Sequence, residues 1–435
     1  MPEIAYNLHD SHSRTILVDE SQIAKIEELL EKEGRSALEH VILVYTDRVT
    51  YVPDGGLKYP ELYDFIEPYP DEEPDVDISM DDVQILSYTG GTTGISKGCM
   101  FANKQLVWHA AAWCEWYSPV VKPEELQVHV SLPMTHAYSI TCATVWPIVA
   151  GGTAVIGSSS NIDVTMHEIS YFKSNVWPAV PALIHQLIFK EKAKEKLASL
   201  KLVMVGTAPP TVEMLNRFRE VSTGVLIEGY GLSEMVSCVS FQPMHKQKLD
   251  CVGLPICNTY AILVDLDEGN TVVPHGEVGE IVTIGPQRID AYWEHPGETA
   301  KAIRGGWLYT GDIGQFDEDG MLHIVGRKKN MIIVGGFNVF PRDIDAVLCK
   351  NDKVRDSFTV GIKHSRLGEV AATFVIPAEG VELDPFEVEV YCRKKLTAYK
   401  VPKYIQIVDE FPRTQIGKPD MLVMQQIASE NYVEK

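Results

Sequence analysis

Tyr88-Thr-Gly-Gly-Thr-Thr-Gly-Ile-Ser-Lys-Gly98 follows directly on the apolar run Val83 to Tyr88. Gly90, Gly91, Gly94 and Gly98 allow close backbone approach, Thr89, Thr92 and Thr93 offer hydroxyls, and Lys97 adds one compact positive charge. This is the make-up of a phosphate cradle. It has neither the G-x-x-x-x-G-K-[ST] spacing of a Walker loop nor G-x-G-x-x-G. A flexible surface turn is the plain alternative, but such a density of Gly and Thr straight after an apolar strand favours the cradle.

Outward from the loop, hydrophobic period and punctuation set the elements. Gln22 to Lys32 predicts an amphipathic helix, Val41 to Tyr45 a strand, and the Pro- and acid-rich stretch Glu67 to Asp82 a solvated connector. Lys104 to Trp116 predicts the helix after the loop. Apolar runs at Val128 to Leu132, Ala154 to Ile156, Leu202 to Val205 and Val225 to Ile227 alternate with helical segments such as Pro181 to Ala198. That alternation is the pattern of a parallel sheet covered by helices. Beyond Asn258 come short β segments, Ala261 to Val264 and Gly279 to Ile284. After Arg327-Lys328-Lys329 a small α+β unit is expected, with helices at Pro341 to Leu348 and Pro385 to Leu396 and strands at Phe358 to Ile362 and Ala371 to Ile376. The fold class is α/β: a large domain, residues 1–328, of helix-covered, mostly parallel sheets with a small β subdomain at about 259–328, then a small α+β domain, residues 329–435.

Composition narrows the function. The 435 residues carry Lys+Arg 39 against Asp+Glu 60, a net charge of −21, which repels polyphosphate backbones and speaks against a nucleic-acid partner. Backbone N–H groups and a few local cations still hold small anions against such a field. The eight cysteines form no C-x-x-C pair and read as reduced core thiols. Ile140 to Gly157 is the most apolar uncharged run, but Pro147 and Gly151-Gly152 interrupt it, so a buried helix, turn and strand is expected there and no membrane span. The N-terminus lacks the basic and apolar stretches of a secretory signal, so a cytoplasmic location is expected.

The loop Tyr88 to Gly98 resembles the phosphate-loop signature of the adenylate-forming enzymes: acyl-CoA synthetases, luciferases and peptide-synthetase adenylation domains. Four further signatures recur in order: Glu228-Gly-Tyr-Gly-Leu-Ser-Glu234, Tyr309-Thr-Gly-Asp312, Gly326-Arg-Lys-Lys329 with Gly335-Gly-Phe-Asn338, and Pro412-Arg-Thr-Gln-Ile-Gly-Lys418. The wording is most similar to medium- or long-chain fatty acyl-CoA ligases, whose small domain is a mobile lid. The resemblance implies ATP and CoA as co-substrates and Mg²⁺ as cofactor.

It also implies roles for individual residues. Thr89, Gly90, Gly91, Thr92, Thr93, Gly94 and Lys97 would hold the β- and γ-phosphates, with the Thr89 hydroxyl and Glu234 binding Mg²⁺. Gly206, Thr207 and Ala208 would border the adenine, Tyr230 would stack on it, and Glu228, Gly229, Gly231 and Ser233 complete that nucleotide segment. Asp312 and Arg327 would meet the ribose. Lys418 would bridge the carboxylate and the α-phosphate in adenylation. Lys329 stands at the hinge about which the small domain turns before thioester formation, and Gly335 and Gly336 would line the pantetheine channel. Taken singly, several have plainer readings: Glu234 as a helix-start residue, Asp312 in a turn, Gly335-Gly336 as a tight β turn.

The acyl pocket falls by resemblance on His136, Tyr138, Trp177, Val180 and Tyr230; a core histidine is an equal reading of His136. Ala137-Tyr138-Ser139 offers no carboxylate to pair with an ammonium group, which disfavours a free amino acid as substrate. Relatives carry a longer segment before the phosphate loop, so the chain is expected to begin midway through the family's first subdomain. Tyr6 to Val18 resembles an internal strand there, whose open edge a second copy or another protein could cover. Two other functions stay open at this point: loading of a carrier-protein thiol, and a nucleotide-binding pseudoenzyme that needs a partner.

Overall fold

Val176–Ala179 and Leu202–Val205 are buried at every position, the mark of parallel strands covered on both faces. They are the middle of a five-strand parallel array in the order Val225–Tyr230, Leu202–Val205, Val176–Ala179, Gln127–Val130, Thr153–Ile156. Pro178 has no N–H to give, and the ladder towards Gln127–Val130 is reduced to one register pair, Val128 with Val176. The computed structural model describes residues 2–33, 38–44, 58–89, 96–207, 210–248, 250–413 and 419–434.

The chain forms two compact units: Met1–Val239 with Ile256–Thr259 and Gly285–Gly306, and Ser240–Pro255 with Tyr260–Ile284 and Trp307–Lys435. In the first, the core under the array joins Trp177, Ile169, Leu187 and Phe218. The helix Asn103–Tyr117 starts where the Gln105 side chain accepts from Ala102 N at 2.7 Å. The apolar run from Ile140 has the expected order of helix, turn and strand, a helical segment containing a π-helical stretch, Ile140–Val145, then Trp146–Ala150, ended by Gly151 at φ +70°, then strand Thr153–Ile156, but it is not buried throughout: Ile148, Val149 and Ile156 are exposed. Residues 67–82 carry no helix or strand and are exposed throughout.

Two expectations need correction. Tyr6 to Val18 is not one strand: Pro2–Asp10 is a helix, and the strand is Thr15–Asp19, paired in parallel with His40–Val44. Pro181 to Ala198 is two short helices, Pro181–Leu187 and Ala193–Lys196, separated by a turn in which Lys192 takes φ +61°.

The second unit contains an antiparallel array of Tyr260–Val264, Val278–Ile284, Trp307–Phe316 and Leu322–Arg327. It also contains a mixed sheet, Phe337–Val339, Ile332–Val334, Gly368–Pro377 and Val354–His364, with Tyr404–Ile407 parallel to Gly368–Pro377. Helices Pro341–Leu348, Pro385–Lys395 and Met421–Asn431 cover this sheet, and Ile344, Val388 and Met424 enter its core. No helix among the described residues is long and apolar enough to cross a membrane.

Candidate active site

In the first unit the strands Val83–Thr89 and Lys97–Ala102 pair antiparallel, with Thr89 opposite Lys97. The loop between them thus springs from a hairpin whose two ends are fixed. Ser96 Oγ donates to Thr89 O at 2.7 Å and closes that stem. Gly90, Gly91, Thr92, Thr93 and Gly94 lie outside the described residues, as do Ala208 and Lys418.

Lys97 Nζ donates to Glu298 Oε2 at 3.2 Å and stands 4.6 Å from the centre of the Tyr292 ring. The Tyr292 hydroxyl donates to Glu234 Oε1 at 2.6 Å. Burial first, and the neighbouring Glu234 carboxylate second, push the phenol upwards, so it stays a protonated donor. Glu234 lies on the one-turn 3-10 helix Ser233–Met235, which follows strand Val225–Tyr230. It is therefore both the helix-start residue of the plainer reading and a neighbour of that hairpin. Tyr88, just before the loop, donates to Asp10 Oδ2 at 2.7 Å, and Trp293 Nε1 donates to Asp10 O at 2.8 Å.

Thr89 and Glu234 supply a hydroxyl and a carboxylate, both partly accessible. No group of three or more His, Cys, Asp or Glu side chains converges as a metal cage among the described residues. Mg²⁺ asks for no such cage, because it keeps waters and takes one or two protein oxygens beside substrate phosphates. The donor set fits it.

Gly206 follows strand Leu202–Val205, and Thr207 takes φ +71°. The buried Tyr138 lies beneath: its hydroxyl donates to Met204 O at 2.9 Å, and its ring is 3.5 Å from where a Gly206 Cβ would stand. Glu228 is buried in register with Val205, while Gly229 and Tyr230 are half-buried. Gly231 runs so close to Ser237 that an added Cβ would lie 1.5 Å from its carbonyl oxygen. Of the other expected acyl-pocket residues, Trp177 belongs to the core, with Nε1 donating to Ser131 Oγ at 2.8 Å. His136 is exposed and accepts from Tyr138 N through Nδ1 at 3.2 Å, and Val180 precedes helix Pro181–Leu187.

In the second unit Asp312 is a strand residue and not a turn residue, in register with Arg327. Arg327 Nε stands 3.1 Å from Asp312 Oδ1, with the aspartate side chain 8% exposed and the arginine 57%. Behind them the buried Glu280 accepts from Gly311 N at 3.2 Å and from Lys328 Nζ at 2.8 Å. Burial, then repulsion from Arg327, pull the Lys329 ammonium below the usual lysine range, and Asp312 opposes them. Gly335 and Gly336 take φ +57° and +87°, and they turn Ile332–Val334 into Phe337–Val339. They border a groove of about 1040 Å³ that Met331, Lys363, Arg366 and Leu367 also line.

Tyr292, Glu298 and Glu280 were not among the residues singled out from sequence. Glu298 is 201 positions from Lys97, and Tyr292 is 58 from Glu234. The only local signal was an aromatic pair, Tyr292-Trp293, shortly before the helix Pro296–Ala302.

The AMP-binding enzyme family model matches residues 1–293, and the AMP-binding enzyme C-terminal domain matches residues 343–418. A long-chain-fatty-acid–CoA ligase of Salmonella typhimurium is 32% identical over 446 aligned positions, which cover 96% of this chain and 77% of the relative. A feruloyl-CoA synthase of an Amycolatopsis species is 29% identical, with 91% of this chain and 80% of the relative covered. The crystal structure of ATP-bound MatB from Rhodopseudomonas palustris superposes with a TM-score of 0.87 at 25% identity, covering 99% of this chain and 82% of that one. With its hairpin around the Gly- and Thr-rich loop, its Glu234 turn and these likenesses over nearly the whole length, the chain belongs to the AMP-binding enzyme family, among the acid–thiol ligases known as AMP-forming acyl-CoA synthetases.

Proposed function

We propose that this ligase acts in the cytoplasm on a hydrophobic carboxylic acid, with medium or long chains preferred. It activates the acid as an acyl-adenylate with release of pyrophosphate and transfers the acyl group to CoA. The observation that carries the reading is the joined set Thr89, Lys97, Tyr292 and Glu234, which puts hydroxyl, ammonium and carboxylate beside the root of the phosphate loop. Lys97 and the loop would take the β- and γ-phosphates, and Thr89 and Glu234 would hold Mg²⁺. When bound, the cation neutralises charge on the departing pyrophosphate. Tyr230 and Gly206 would border the base, and Asp312, oriented by Arg327, would accept from the ribose hydroxyls. Lys329 opens the small domain of the proposed division, residues 329–435, and serves as its hinge.

The acid is read from the long-chain ligase over 96% of the chain and from the lack of a carboxylate at Ala137-Tyr138-Ser139. The feruloyl-CoA synthase likeness favours an aromatic acid as the second reading. Acid-dependent ATP–pyrophosphate exchange on the purified chain, with straight-chain, branched and aromatic acids, tests both. Exchange is expected with straight chains and to need Mg²⁺; exchange with aromatic acids alone overturns the preference. CoA turnover without added protein excludes a carrier-protein acceptor, and ATP binding without exchange favours a pseudoenzyme.

Gly335→Leu is expected to slow thioester formation at least about tenfold more than adenylation, because its bulk would enter the proposed pantetheine path. Gly335→Ala is the control: it bears the same positive-φ strain, at φ +57°, without that bulk. Stopped-flow acyl transfer compared with exchange measures the ratio, and loss of adenylation alone in the leucine variant counts against the channel.

A further inference from the structure

Opposite charges in one site tend to find each other. If Lys97 and Glu234 paired directly before substrate arrived, each would lose the function proposed for it, and ATP would have to break the pair. The structure gives each another partner. Lys97 goes to Glu298, at 3.2 Å, and to the face of Tyr292. Glu234 Oε1 accepts from the Tyr292 hydroxyl at 2.6 Å. Tyr292 itself is firmly held: it is 5% exposed, its N–H donates to Thr299 Oγ1 at 3.0 Å, and its backbone bridges to Cys99 in the second strand of the phosphate hairpin. The flanking Trp293 N donates to Gly98 O at 2.8 Å. The ring therefore moves with the hairpin.

We propose that Tyr292 is a positioning residue of the adenylation step, whose hydroxyl aims the Glu234 carboxylate at the divalent cation while its ring face keeps Lys97 available for phosphate. The inference rests on the adenylation reading above. A phenol suits the task because it donates to a carboxylate without neutralising it and offers an ammonium a surface with no charge to satisfy. Glu298 complements it: its carboxylate is shared with Lys301 at 2.6 Å, so Lys97 can leave without stranding it.

Tyr292→Phe keeps the ring and removes only the bond to Glu234. It is expected to raise the Mg²⁺ concentration for half-maximal exchange, and the dissociation constant of Mn²⁺–ATP read by water-proton relaxation, by about tenfold, the value of one hydrogen bond to a charged group. Metal-free ATP affinity is expected to stay within a few-fold. In a Glu234→Gln background the same substitution should shift the metal requirement no further. A merely structural role predicts the opposite: an equal shift in both backgrounds, which overturns the proposal, as does no shift in either. Site-specific 3-fluorotyrosine at 292 is the second test, since it preserves packing and strengthens the donor; the metal requirement should fall, and a rise overturns the proposal. If the parent chain shows no acid-dependent exchange, the adenylation reading fails, and the Mn²⁺–ATP titrations still decide the role of Tyr292.

Discussion

Gly231→Ala is expected to cut acid-dependent pyrophosphate exchange by at least about 100-fold, the cost of misplacing catalytic groups by an ångström or so. The new Cβ would lie 1.5 Å from Ser237 O, 2.4 Å from its carbonyl carbon and 2.7 Å from Cys238 Cα. These are backbone atoms, and no rotamer change clears them. Nor can the far side of the loop yield freely. Val236 and Ser237 already take φ +48° and +95°, Ser237 Oγ is 2.8 Å from Thr141 Oγ1 in the π-helical stretch, and Val239 N donates to Tyr230 O at 2.8 Å. The turn must therefore move as a piece, and Glu234 lies in the middle of it. A melting temperature lower by several degrees is expected too, as for overpacking against backbone in general. Exchange assays with a thermal melt and far-ultraviolet circular dichroism measure both. Activity within a few-fold of the parent in a folded variant would mean that the Glu234 turn tolerates displacement, and the reading of Glu234 would fall with it.

Gly231 also shows where sequence reading stops. Its motif was legible, and its place beside the nucleotide was expected, but the reason for a glycine is the close passage of Ser237, which only the fold supplies. Apolar runs such as Leu202–Val205 were legible because burial on both faces leaves one composition. The strand Trp307–Phe316 was not: a turn was the plainer reading of Asp312, whereas flanking strands on both sides hold it extended. The break between Pro181–Leu187 and Ala193–Lys196 was hidden by apolar residues that keep helical spacing across it, at Leu183, Leu187 and Leu197. In the site, residues that contact a phosphate, ribose or cation by resemblance come in local signatures. Tyr292 and Glu298 act on other side chains, so their partners lie far along the chain and no spacing announces them.

Lys418→Ala is expected to lower adenylation by about 10² to 10³-fold or more while leaving thioester formation from supplied acyl-adenylate within a few-fold of the parent. The carboxylate that attacks the α-phosphorus is an anion approaching a polyanion, on a chain whose net charge is −21. A cation between the two is needed most while that bond forms; once the adenylate exists, the carboxylate's charge is gone and most of the phosphate charge has left with pyrophosphate, one negative charge staying on the α-phosphoryl group. Lys418 is outside the described residues, but the chain on either side of its segment is anchored. Arg413 and Pro419 form a β-bridge, Asp420 N donates to Pro412 O at 2.7 Å, and the Asp420 carboxylate accepts from Leu422 N and Val423 N at the start of helix Met421–Asn431. Arginine in its place should rescue poorly, since a planar fork cannot substitute for a compact ammonium between two closely spaced oxygens. Pyrophosphate exchange and single-turnover transfer from synthetic acyl-adenylate to CoA measure the two steps separately. Equal loss in both would show that Lys418 is not particular to adenylation, and the proposed division of labour between Lys418 and the Gly335 turn would have to be abandoned.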